Sequence, residues 1–129
     1  MVISEPGKRR PSASVTAWIA ATPGALFYVS TISFGEITAG IEKKRSIAAD
    51  FSDRLDRWAL EVREDFQQRT LPVTTEVALR WGVLAYHLKR RDTDLLIAAT
   101  ALVHDLTVVT RNIRHFEPTG AKVLNPYKD

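Results

Sequence analysis

The stretch Asp94-Leu95-Leu96-Ile97-Ala98-Ala99-Thr100-Ala101-Leu102-Val103-His104, continued by Asp105-Leu106-Thr107-Val108-Val109-Thr110-Arg111-Asn112 and Ile113-Arg114-His115-Phe116, decides the fold. It sets an acid at the start of an apolar helix and a polar Thr-Arg-Asn cluster at the end of a strand. A helix followed at once by a strand suits a parallel α/β sheet, and such sheets build their sites outside the carboxyl ends of their strands. Asp94 and the Thr110 to Asn112 cluster can therefore meet at one sheet edge.

Working outward, Asp92 or Thr93 can cap the helix that begins at Asp94. A last short strand is expected at Val123-Leu124. Upstream, Ala78, Trp81, Ala85 and Leu88 recur at helical spacing, as do Phe51, Leu55, Trp58 and Val62, with Leu71-Pro72-Val73 between them as a short strand or connector. Ser33 and Glu36 have the spacing of a capping box, which puts Glu36 in a first helical turn. Ile37 and Ile41 carry that helix on to the basic cluster at Lys43. A strand Leu26-Phe27-Tyr28-Val29 precedes it. Before that, Ser12 can cap a short helix bearing Val15, Trp18 and Ile19 and ended by Pro23-Gly24. Strands alternating with helices predict a parallel sheet with right-handed crossovers.

The 129 residues suit one domain, and 45% hydrophobic with 26% charged residues suits a globular one. The chain has no cysteine, which excludes disulfides, thiolate metal sites and a cysteine nucleophile, and accords with a reducing cytoplasm. The longest apolar run, Leu95 to Val103, is too short to span a membrane, and Lys8-Arg9-Arg10 is not followed by a signal-peptide core. A cytoplasmic protein without a membrane anchor is the expectation. At a net charge of +3, the clusters Lys8-Arg9-Arg10, Lys43-Lys44-Arg45 and Lys89-Arg90-Arg91 read as solvated residues flanking helices rather than as a nucleic-acid footprint. Asp92 and Asp105 read as solvated charges. His87, His104 and His115 lack zinc-ligand spacing, although His115 falls close enough to the proposed site to touch a bound polymer. Trp18, Trp58 and Trp81 lie on apolar stripes, so core or a partner surface suits them better than base stacking.

The segments Val29-Ser30-Thr31-Ile32-Ser33-Phe34-Gly35-Glu36-Ile37 with Gly40, Leu71-Pro72-Val73, Asp94 to Thr100, and Val109-Thr110-Arg111-Asn112 with Phe116 together resemble the PIN-domain family of metal-dependent ribonucleases. Within it, the VapC-like toxins of toxin-antitoxin pairs are the nearest in pattern. The resemblance covers nearly the whole chain and implies a single PIN-like domain over residues 1–129, a three-layer α/β fold with a parallel sheet flanked by helices. It implies that Glu36 and Asp94 are acids of a Mg²⁺ or Mn²⁺ site, that Asn112 stands at the fourth acidic position, and that Thr110 supports it. It further implies an RNA substrate, a cognate VapB-like antitoxin and a homodimer, with exposed faces of the first helices serving those contacts.

Two departures accompany the resemblance. In the family, a strand ending in an Asp-Thr-Asn-like turn precedes a segment like Val2-Ile3-Ser4-Glu5, so the first strand and first metal-site Asp are expected to be missing from a truncated start. The connection from Lys89 to Asp92 is also short and basic where relatives have a longer Gly-Pro loop. A second functional reading follows from the first departure: an inactive PIN-like module that binds antitoxin or RNA without cleaving. Taken singly, Glu36 also suits a mere capping partner of Ser33, Asp94 a carboxylate favoured by the helix dipole, and Asn112 a turn residue. A receiver-type phosphoacceptor domain is a weaker match, since no paired acid near the start or late Lys accompanies a strand-end Asp.

Overall fold

A computed structural model describes residues 27–126. The short helix expected from Ser12 to Pro23 lies outside the described residues, as does Leu26 of the strand expected over Leu26 to Val29; within the described residues that strand starts only at Val29. The chain runs through β1 (Val29–Ser30), α1 (Thr31–Arg45), α2 (Ala49–Asp65), β2 (Thr70–Leu71), α3 (Thr75–Leu88), α4 (Thr93–His104), β3 (Thr107–Val109), α5 (Ile113–Phe116), a 3₁₀ turn (Glu117–Thr119) and β4 (Lys122–Leu124). Among the described residues all strand pairing is parallel: Val29 lies opposite Thr70, and Ser30 opposite Leu71. Thr107, Val108 and Val109 lie opposite Lys122, Val123 and Leu124. The expected single sheet is therefore observed, among the described residues, as two separate two-stranded pieces. Helices α1 and α2 pack together, as do α3 and α4, and α1 touches α4 between the two pairs.

Local chemistry explains most boundaries. Helix α1 starts earlier than the Ser33-Glu36 spacing predicts, because Ser30 is the N-cap: its hydroxyl accepts from the Ile32 N–H at 3.1 Å. Ser33 is thus a buried residue inside the helix and Glu36 its sixth residue, past the first turn, so the capping-box reading of Glu36 does not hold. Thr74 caps α3 by accepting from the Val77 N–H at 3.2 Å. Pro72 follows β2 at once and cannot donate to a ladder, which keeps that strand short. In α3 the core-facing stripe passes through fully buried Val77, not the expected Ala78, which is exposed. Leu79, Val83 and Tyr86 on the other side of α3 are exposed.

The core lies where α4 meets β3 and β4. Ala98, Ala101, Val108, Phe116 and Ala121 form its buried cluster, with Leu84, Ile97, Leu102, Leu106 and Val123 packed against it. Ala98 and Ala99 are fully buried, and such small side chains let the helix backbone approach the strands closely. Leu95, one residue beyond Asp94, is also fully buried and anchors the first turn of α4. Gly120 closes the 3₁₀ turn at φ +82°, a left-handed conformation that glycine adopts without a Cβ clash. Among the described residues no helix is long and apolar enough to cross a membrane.

Candidate active site

Five elements meet at one pocket of about 420 Å³, with α2 contributing only to its apolar wall. Ser33 and Glu36 reach it from α1, Asp94 from the start of α4, Thr110 from the end of β3, and Asn112 from the turn into α5. Ile37, Ile41, Leu55, Trp58 and Val108 supply an apolar wall, and Lys44 adds a cation to the lining. The pocket therefore brings together all four residues singled out from the sequence. Trp58 lies on its wall, and Trp81 is half-buried, with an indole Nε1 that has no hydrogen-bond partner among the described residues. Trp18 lies outside the described residues. Lys44 lines the pocket rather than being simply solvated, and Arg45 of the same cluster pairs with Glu42 and Asp56.

The polar turn at the end of β3 is held by the backbone. Thr110 N–H donates to the Leu124 carbonyl at 2.9 Å, continuing the β3–β4 ladder by one bond. The Asn112 N–H donates to Thr110 Oγ1 at 3.0 Å. Asn112 is the N-cap residue of α5 by position, yet its side chain makes no capping bond. Its amide is thus not consumed by the cap that a purely structural reading would give it.

Glu36 is tied to α4 rather than to its own helix end. Thr93 Oγ1 donates to Glu36 Oε2 at 3.0 Å, which sets Glu36 beside the residue that precedes Asp94. Although Glu36 reaches solvent at the pocket rim, partial burial raises its pKa from 4.5, the Thr93 bond lowers it, and the carboxylates of Asp94 and Asp92 raise it further. Lost hydration favours the neutral acid first, and the two nearby carboxylates add to it. Its pKa being higher folded than unfolded, Glu36 contributes stability that is fully present below the unfolded value and lost as pH rises through the folded one. Glu36→Gln is accordingly expected to raise the melting temperature of the metal-free protein at pH 7 and to leave it unchanged below about pH 4. Thermal unfolding across that range in chelator checks it; a lower melting temperature at pH 7 would refute the assignment of strain to Glu36.

Beside the pocket lies a charge network built around Arg90 and Asp92, both expected to be solvated. Asp92 is not simply solvated: Arg90 Nε and Nη2 donate to its two carboxylate oxygens at 2.8 and 2.9 Å. This fork holds the Asp92 carboxyl below the usual range and leaves no Asp92 bond for the helix cap. Arg90, read as a solvated cation, also donates from Nη1 to the His115 carbonyl at 2.8 Å. His115 Nδ1 lies 2.6 Å from Asp94 Oδ2, and its Nε2 lies 3.6 Å from Asp92 Oδ2. Asp105 pairs with Lys122 at 3.2 Å on the surface. The signal for the network was the Arg90-x-Asp92-x-Asp94 spacing, but nothing local says that His115 returns to it.

Two donor sets are therefore available for a divalent cation. Asp92, Asp94 and His115 place ligand atoms within 4.8 Å of one another. Both oxygens of Asp92 are already engaged by Arg90, so that cluster is an ion-pair network more than a vacant cation site. The pocket set fits a hard cation better. Glu36 and Asp94 offer carboxylates, Ser33 and Thr110 offer hydroxyls, and the repulsion between the two acids, a smaller contributor than burial to the raised Glu36 pKa, is one a cation would relieve.

Comparisons with known proteins agree with this architecture. Plasmid stability protein StbB of Pseudomonas syringae pv. tomato is 32% identical over 98% of this chain and 94% of its own length. VapC ribonuclease Y4jK of Sinorhizobium fredii is 32% identical over 98% of this chain and 94% of its own. Among solved structures, FitAcB from Neisseria gonorrhoeae superposes with a TM-score of 0.84 at 30% identity, covering 98% of this chain and 94% of that one. The model of the PIN domain family matches residues 2–121, and with the α/β fold of parallel strands and five helices described above, this chain belongs to the PIN domain family.

Proposed function

We propose that this protein is a metal-dependent ribonuclease toxin of a VapBC-type toxin-antitoxin pair, acting in the cytoplasm. The carrying observation is the convergence of Glu36, Asp94, Thr110 and Asn112, from four separate elements, on one pocket. Relatives named as a VapC ribonuclease and as toxin FitB support the reading. Solved relatives titled as FitAB and VapBC structures support a VapB-like antitoxin as partner. A homodimer and a single PIN-like domain over residues 1–129 complete it.

In this reading Glu36 and Asp94 hold Mg²⁺ or Mn²⁺. When bound, the ion supplies a nucleophilic water at neutral pH and stabilises charge on the phosphoryl oxygens. The chain's residues do the rest. Thr93 fixes the Glu36 carboxylate by its 3.0 Å bond, and Thr110 fixes the backbone of Asn112. Asn112 presents a neutral amide that donates to a phosphate oxygen without adding repulsion to the two acids. Lys44 on the lining offsets the negative charge of an approaching phosphodiester. The apolar wall limits water on one side of the pocket, which strengthens each of these interactions.

The test is cleavage of total bacterial RNA by the purified chain. Cleavage is expected with added Mg²⁺ or Mn²⁺ and is expected to stop in excess EDTA, with recovery on adding the ion back. RNA or antitoxin binding without cleavage under any metal condition would replace this reading with that of an inactive binding module. Static light scattering on the same sample reads the dimer.

A further inference from the structure

We propose that His115 is a positioning residue for Asp94, and that Arg90 is the brace that keeps it there. The inference rests on the reading in which Asp94 holds the cation, and it adds a residue that this reading does not need.

An ionised carboxylate only accepts, so the 2.6 Å contact between His115 Nδ1 and Asp94 Oδ2 is an N–H donated by the imidazole. Among the described residues it is the only side-chain hydrogen bond made by the Asp94 carboxylate. One oxygen of Asp94 is thereby committed to protein, and Oδ1 is left for a cation. A free carboxylate rotates about its side-chain torsions, and a hydrogen bond from a fixed donor removes that freedom before a metal arrives.

His115 can serve as a fixed donor because its backbone is anchored. Arg90 Nη1 binds the His115 carbonyl at 2.8 Å, while its Nε and Nη2 grip Asp92 at 2.8 and 2.9 Å. One guanidinium thus ties the turn before α4 to α5, the two segments that carry Asp94 and His115. The same fork occupies both oxygens of Asp92, so that this acid, two residues from Asp94, does not draw the cation away from the pocket. The imidazole sits between the two acids, with Nε2 at 3.6 Å from Asp92.

The experiment compares His115→Ala, His115→Asn and Asp94→Asn with the parent full-length chain. An asparagine amide can place an N–H near the position of Nδ1, whereas alanine cannot. Mn²⁺ titration by calorimetry is expected to show affinity weakened about tenfold to a hundredfold in His115→Ala and largely restored in His115→Asn. Cleavage of total bacterial RNA is expected to follow with kcat reduced and the KM for RNA unchanged. In the metal-free parent, proton–nitrogen correlation of the imidazole is expected to find a proton on Nδ1 of His115, a readout that survives if a variant fails to fold. A neutral ring protonated only on Nε2, or equal losses in the alanine and asparagine variants, would overturn the proposal. If Asp94→Asn abolishes Mn²⁺ binding while His115→Ala leaves it intact, the His115 inference alone fails. If Asp94→Asn binds Mn²⁺ as the parent does, the site reading beneath it fails.

Discussion

Asp94→Asn is expected to lower metal-dependent RNA cleavage by roughly a hundredfold or more while leaving the fold intact. Loss of one cation-holding carboxylate forfeits several kcal/mol of transition-state stabilisation, and each 1.36 kcal/mol is about tenfold in rate. The substitution is nearly isosteric, and the asparagine carbonyl can still accept the His115 N–H, so packing at the head of α4 should survive. Asp94 lines the pocket beside Glu36 and contributes to the raised pKa of Glu36, so neutralising it is also expected to bring that pKa down. Initial rates at several Mn²⁺ concentrations separate the two ways the variant can fail. A raised half-saturation for Mn²⁺ shows lost binding, and a lowered rate at saturation shows lost chemistry. Cleavage at the parental rate throughout would remove Asp94 from the site.

Leu95→Ala has the largest expected effect on stability. Leu95 is 0% exposed and sits next to Asp94 in the first turn of α4. Truncating a fully buried leucine loses its transfer free energy and leaves a cavity that its neighbours fill only in part, at a cost of about 2–5 kcal/mol. For a domain of this size that corresponds to a fall in Tm of roughly 10 °C. Leu79→Ala is the control, since Leu79 is 69% exposed in α3 and its truncation should move Tm by about a degree or less. The pair is read by thermal unfolding of both variants beside the parent. A Leu95→Ala shift as small as that of Leu79→Ala would mean that the head of α4 is not packed as described. Because Leu95 fixes the turn that presents Asp94, a modest loss of cleavage below Tm is expected as well.

These two neighbours mark what was legible in the chain. Acid then apolar run at Asp94-Leu95 is a local pattern: a carboxylate favoured at a helix N-terminus, followed by side chains that bury. Strand β3 and the Thr110 to Asn112 turn were legible for the same reason, and so was the parallel α/β class. The helix cap at Ser30 is not legible in the chain, because Ser33-Glu36 carries a capping-box spacing as good as any and only the backbone decides which serine is the cap. The stripe of α3 was legible at Trp81, Ala85 and Leu88, which are half-buried, and missed only its first member, because Val77 and Ala78 are both apolar. Periodicity alone does not choose between adjacent apolar positions.

By itself, then, the sequence determined the order of the elements, the family and four of the residues that line the pocket, Glu36, Asp94, Thr110 and Asn112. Each of these follows from short-range preferences and from the order of motifs. Tertiary structure decided what those residues touch. It gave Glu36 to Thr93 instead of to Ser33, gave Asp92 to Arg90 instead of to solvent, and brought His115 to Asp94. Ion pairs and hydrogen bonds between distant segments depend on distances of a few tenths of an ångström, which packing of α1, α4 and α5 sets and no spacing along the chain encodes.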